Sequence, residues 1–220
     1  MENLDNVVVK KPWGYEYLCY KNKNLAVWFL HIEKNKSTSL HCHPKKHTSL
    51  IVLNGEVNIS FMRSSTYLKA LDKIGIFRSR FHSTSALTDN TYILEVETPE
   101  DKHDLVRLKD SYGRQNIGYE TSEHYYSKDK SHLWVKEPEW DIVQNFNSVN
   151  LNHFIADERI KTFTSDDLMI VTEGGVVTKN YEQLVYPGDT IDGESLNILT
   201  DSFNLLPYTT LIHIKHDTYF

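Results

Sequence analysis

The sequence predicts an all-β protein, an antiparallel barrel or sandwich whose second half repeats the style of the first. Three observations carry this. Short runs rich in β-branched and aromatic residues recur at regular spacing with turn residues between them. Helical periodicity is scarce. The second half repeats the style of the first after roughly a hundred residues.

Taken in order, strands are expected over residues 7–9, 25–32, 49–53, 57–61, 73–77 and 91–97, the last closed by Pro99. Asn54-Gly55 lies between two of these runs and signals a hairpin. Residues 101–138 are charged and tyrosine-rich, carry Gly113 and Gly118, and show little alternation; they read as a connector with one short helix. Strands resume over 168–172, 176–178, 183–186, 196–199 and 210–214, with turns at Glu173-Gly174-Gly175 and Pro187-Gly188-Asp189. The expected domains are 1–117, a connector 118–138, and 139–220.

Composition excludes several functions. Hydrophobic residues are 40% and charged residues 25% of the chain, an ordinary globular balance. A net charge of −6 gives no footprint for nucleic acid. No apolar run is long enough to span a membrane, and the polar start Met1-Glu2-Asn3-Leu4-Asp5-Asn6 does not resemble a signal peptide. Two cysteines, Cys19 and Cys42, cannot form a disulfide framework. A cytoplasmic protein is expected. No glycine-rich phosphate loop or nucleophile elbow is present, which removes nucleotide hydrolysis and serine hydrolase chemistry.

The chemistry is expected at His41-Cys42-His43. Alternation along a strand turns both imidazoles to one face, where neutral nitrogens can share a metal ion. A third imidazole, His82, follows the strand-like run Lys73-Ile74-Gly75-Ile76-Phe77. On a regular strand His47 shares the face of His41 and His43 while Thr48 points away. The loop at Pro44-Lys45-Lys46 breaks that regularity, so both orientations stay open. Cys42 alternates out of the site and reads as a small core residue.

These residues resemble the cupins, small jelly-roll barrels that usually hold a metal. Their first motif, His-x-His followed by Glu and then Gly, matches His41, His43 and Gly55, with Thr48 where Glu is expected. The second, Gly-Asp and then Pro-x-Gly-x-x-His, matches Leu71-Asp72 and Phe77-Arg78-Ser79-Arg80-Phe81-His82; the histidine stays while both glycines and the proline are replaced. Within the cupins, residues 10–117 resemble the type II phosphomannose isomerase domain of mannose-1-phosphate guanylyltransferase/isomerases. The resemblance lies in Lys11-Pro12-Trp13-Gly14, in Ser39-Leu40-His41-Cys42-His43, and in the long signature from Asp104 to Arg114. The second half resembles a degenerate cupin through Gly174-Gly175 and Tyr186-Pro187-Gly188-Asp189. It lacks a His-x-His, His153 has no partner in alternation, and no metal is expected there.

The resemblance implies a divalent metal on His41, His43 and His82, with zinc, iron, nickel, cobalt and manganese all open. It implies a sugar phosphate or nucleotide sugar as ligand, and aldose–ketose isomerisation of the mannose-6-phosphate type, serving surface-polysaccharide synthesis. Proton transfer needs a base, for which His47 and Glu56 are candidates, and Lys46, Arg78 and Arg80 are candidate phosphate ligands. Lys45 could join them, or these charges simply solvate the surface. Trp13, Trp28 or Tyr112 could face a sugar ring, and Arg107 and Asp110 read as structural, holding the barrel edge. Three alternatives stay open: a metal-free epimerase using histidine and tyrosine, an iron-dependent oxygenase, and a non-catalytic sugar-binding protein. A homodimer is expected.

Overall fold

The computed structural model describes residues 4–115, 118–140 and 142–216. The start at Met1-Glu2-Asn3 and the boundary expected at 117 lie outside them. The chain forms two compact units, one of residues 1–21 and 26–132, the other of 22–25 and 133–220.

The first unit contains β1 (Val7–Lys11), β2 (Gly14–Lys21), β3 (Ala26–Ile32), β4 (Leu40–Cys42), β5 (His47–Asn54), β6 (Glu56–Phe61), β7 (Ser65–Lys69), β8 (Lys73–Ile76), β9 (His82–Ala86), β10 (Thr91–Thr98), β11 (Val106–Lys109) and β12 (Tyr125–Ser127). Its two antiparallel sheets have the orders β12-β1-β2-β3-β10-β5-β8 and β11-β4-β9-β6-β7. Strands β3 to β10 are thus dealt between the sheets as β3-β10-β5-β8 and β4-β9-β6-β7, the order of a jelly roll. Alternation explains what lies between them. Trp28, Leu30, Leu50, Val52 and Ile93 face inward from one sheet, and Val57, Ile59 and Ala86 meet them from the other.

Asn54-Gly55 is not a hairpin. β5 pairs with β10 and β8, whereas β6 pairs with β7 and β9, so the turn carries the chain from one sheet to the other. Crossing over lets Leu50 and Val52 face Val57 and Ile59 across the core; a hairpin would leave both sets on one sheet. Gly55 has φ +82°, and a Cβ there would stand 2.7 Å from Thr88 Oγ1. The stretch expected as a connector also carries two strands. β11 pairs with β4 and β12 with β1.

The second unit contains β13 (Val143–Phe146), β14 (Val149–Ile155), β15 (Leu168–Glu173), β16 (Val176–Val177), β17 (Gln183–Val185), β18 (Thr190–Asp192), α1 (Gly193–Ser202), β19 (Asn204–Leu205) and β20 (Thr210–His216). Its sheets run β13-β14-β20-β15-β18 and β17-β16-β19. Compared with the first unit, the counterpart of β4 is replaced by a 3-10 turn, Glu158–Thr162. The strand expected over 196–199 is helix α1 instead. Asp192 caps it by accepting from Ser195 N, Glu194 sits in the first turn, and Leu196 and Leu199 fall one turn apart toward the core. A four-residue apolar run of this kind does not separate strand from helix. His153 is buried and structural: Nδ1 bonds Lys136 O at 2.7 Å and Nε2 meets Thr172 Oγ1 at 3.1 Å.

Candidate metal centre

In the first unit, antiparallel pairing of β4 with β9 sets His41 directly opposite His82. His43 follows one residue after β4. The ring centroids are 4.5 Å apart for His41 and His82, 4.9 Å for His41 and His43, and 5.6 Å for His43 and His82. One ligand nitrogen from each lies within 4.8 Å of the others.

Each ring is oriented through its second nitrogen. The Nδ1 atoms of His41, His43 and His82 bond to the carbonyls of Ser39 (2.8 Å), Asp104 (2.6 Å) and Arg80 (3.0 Å). A carbonyl only accepts, so each Nδ1 carries the proton and each Nε2 keeps its lone pair. This is the outer-shell arrangement that prepares histidine for a metal. Electrostatics agree. Burial, then His82 and His43, hold His41 well below the usual imidazole range. Burial and then Lys46 bring His43 down to about 4, and burial lowers His82. The rings therefore stay neutral near pH 7.

The signature from Asp104 to Arg114 supplies the carbonyl that orients His43. Asp104 receives His43 on its carbonyl, and its carboxylate accepts from Lys45 N and Lys46 N at 2.8 and 3.0 Å. Arg107 stands opposite His41 in the β11–β4 ladder. Arg114 grips Asp110, which also caps Tyr112 N. Leu71 (φ 67°) and Ser79 (φ 60°) occupy the second motif's glycine positions in the left-handed region.

The histidines line a cavity together with a buried charge network. Lys46 pairs with Glu97 at 2.7 Å; Lys102 meets Glu97 and Glu16 at 3.2 and 3.4 Å. Lys11 bonds Glu120 and lies 3.3 Å from Glu16. Tyr119 donates to Glu16, and Arg114 pairs with Glu120 at 2.7 Å. Burial alone would raise Glu16, but Lys102 and Lys11 outweigh it and hold the carboxyl at about 2. Burial outweighs both carboxylates at Lys11, whose ammonium is held below its usual range, whereas Lys102 is pushed above it. Lys102 is therefore a firmer cation than Lys11. Sequence reading missed Glu16, Glu95, Glu97, Lys102 and Tyr119. The one available signal was Glu95 and Glu97 on the same face of an otherwise apolar strand.

Of the other expected site residues, Lys46 lines the cavity, buried and paired. His47 does not: it is exposed, its ring 5.9 Å from Phe77, while Thr48 turns inward and is 2% exposed. The Pro44-Lys45 turn between β4 and β5 shifts the alternation by one residue. Glu56 lies on β6 opposite Lys69, outside the cavity lining. Arg78 and Arg80 are exposed and also outside it, Arg80 resting 3.8 Å over the Phe61 ring. Trp13 lines the cavity; Trp28 is buried beneath Lys102, whose Nζ sits 3.7 Å from its ring centroid. Among the described residues no helix is long and apolar enough to cross a membrane.

No protein-family model matches the chain, and no curated protein matches it. Solved structures do. KdgF from Halomonas sp. is 12% identical over 41% of this chain and 84% of its own, with a TM-score of 0.39. A putative sugar phosphate isomerase from Acidithiobacillus ferrooxidans is 19% identical over 41% of this chain and 63% of its own, TM-score 0.35. An RmlC-like cupin from Shewanella frigidimarina is 16% identical over 43% and 85%, TM-score 0.40. The chain thus spans less than two thirds of the Acidithiobacillus protein.

Proposed function

We propose that the first unit binds one divalent metal through His41, His43 and His82 and isomerises a sugar phosphate between aldose and ketose forms. The observation that carries this reading is the convergence of three neutral imidazoles, each with Nδ1 tied to a backbone carbonyl. The residues fit a metal: His43 Nε2 is buried and has no hydrogen-bond partner, which is costly unless a ligand supplies one. A donor set of three nitrogens suits zinc, ferrous iron, nickel or cobalt, and manganese less well. When bound, such an ion supplies Lewis-acid polarisation of a sugar carbonyl and the hydroxyl beside it. Resemblance to the type II phosphomannose isomerase domain suggests the substrate class. Of the candidate phosphate cations Lys46, Arg78 and Arg80, Lys46 lines the cavity.

The test is turnover of hexose and pentose phosphates by metal-loaded protein, before and after chelation. Activity that disappears with the metal and returns on reconstitution supports the isomerase. A second reading is favoured by Tyr119, a cavity-lining phenol kept protonated by burial and by Glu16. It makes the protein a metal-free epimerase with histidine as base and tyrosine as acid. Epimerisation of a nucleotide sugar that survives chelation would establish that alternative. Binding without turnover would leave a sugar-binding protein.

A further inference from the structure

One buried acid stands apart from the network. Glu16, Glu97 and Glu120 each pair with at least one lysine or arginine. Glu95 is 8% exposed and lines the cavity, yet its carboxylate makes no hydrogen bond or ion pair with the described residues. Its position follows from register. In β10 it stands opposite Trp28 of β3 and Leu50 of β5, both core residues, so it occupies the floor where the apolar interior meets the charged lining. A carboxyl there is sustained by a ligand, or by keeping its proton.

We propose that Glu95 is the general acid–base of this cavity, exchanging a proton with a sugar phosphate seated against the three histidines. The assignment rests on the isomerase reading. As carboxylate, Glu95 takes the proton from C2 of the aldose; the C2–H electron pair becomes the C1–C2 double bond, and the carbonyl pair moves to O1. The Glu95 carboxyl then returns that proton to C1, and a proton passes from O2 to O1, giving the ketose with no co-reactant. The surroundings suit both directions. Burial, and then the Glu97 carboxylate, raise Glu95 well above the ordinary carboxylate range, while Lys102 and Lys46 oppose them and Glu16 adds to the rise. An acid tuned toward working pH can both accept and donate. His47 and Glu56 face away from the cavity and cannot take this part.

The experiment incubates zinc-loaded protein with mannose 6-phosphate, fructose 6-phosphate and ribose 5-phosphate in D2O, following deuterium at C1 and C2 by NMR. Metal stoichiometry and circular dichroism are recorded beside it. E95Q is expected to keep fold and metal while losing at least 100-fold of the exchange rate. E95D is expected to recover part of the rate, with the acid limb of its pH profile displaced from the wild-type position. Wild-type exchange in E95Q, or loss of metal or fold together with exchange in both variants, would overturn the assignment and leave the isomerase standing. A metal-loaded wild type that exchanges deuterium into none of these sugars would overturn the isomerase reading, and the role of Glu95 with it.

Discussion

Thr48 is where the site departs most from the motif it resembles, and its physics is local. The side chain points into the barrel opposite Glu97, and its hydroxyl is buried without a partner. A buried orphan hydroxyl costs about 1–3 kcal/mol. Thr48→Val keeps the shape and removes the group, so chemical denaturation should show it equal to or about 1 kcal/mol more stable than wild type. Thr48→Glu would set a second buried carboxylate opposite Glu97 and should destabilise the fold. The three histidines were legible in the sequence because spacing alone reports alternation and motif register. The orientation of His47 and Thr48 was not, because the Pro44-Lys45 turn resets the count between β4 and β5. The buried acids were missed for a different reason: composition treats Glu and Lys as surface residues unless their partners are known, and Glu16, Glu97 and Lys102 meet only in three dimensions.

Individual elements carry their own strain and their own charge. The turn before β8 places Leu71 at φ 67°, a conformation in which a side chain costs roughly 1–2 kcal/mol. Leu71→Gly relieves that strain and adds backbone entropy to the unfolded chain. The net gain should be about 0.5–1 kcal/mol, readable as a raised denaturation midpoint; a lowered midpoint would show that the leucine side chain matters more than the backbone. On β2, Glu16 is held at about 2 in the folded protein by Lys102 and Lys11. A depressed carboxylate contributes stability above its unfolded value, near 4.3, and loses it as pH falls through the folded value. Stability should therefore drop between about pH 4 and pH 2. Glu16→Gln should flatten that drop and lower stability at pH 7, because Lys102 and Lys11 each lose one of two carboxylate partners while keeping Glu97 and Glu120. Strand existence was readable from alternation, whereas the partner of each strand was not. In a jelly roll β4 pairs with β9 across some forty residues (His41 with His82), and neither run names its mate. The Asn54-Gly55 turn misled for the same reason, since a tight turn fixes a bend in the chain but not whether its flanking strands pair.

Each unit is built from two antiparallel sheets, and among the described residues the His41, His43 and His82 cluster lies in the first. The second unit has its own core around Phe154, Met169 and Leu211, yet a 3-10 turn stands where the first unit has its histidine-bearing strand. The tandem all-β organisation was legible from the recurrence of strand and turn signals; helix α1 was hidden inside a short apolar run. What distinguishes the first unit is a set of neutral nitrogens prepared by backbone carbonyls beside a cavity lined by buried charges. The most direct test is the metal content of the purified protein by elemental mass spectrometry, set against the His41→Ala/His82→Ala double variant. Near one equivalent of zinc, iron, nickel or cobalt in the wild type, lost in a variant that stays folded, is the predicted result. No metal after reconstitution with each of these ions, or equal metal in the variant, would contradict it.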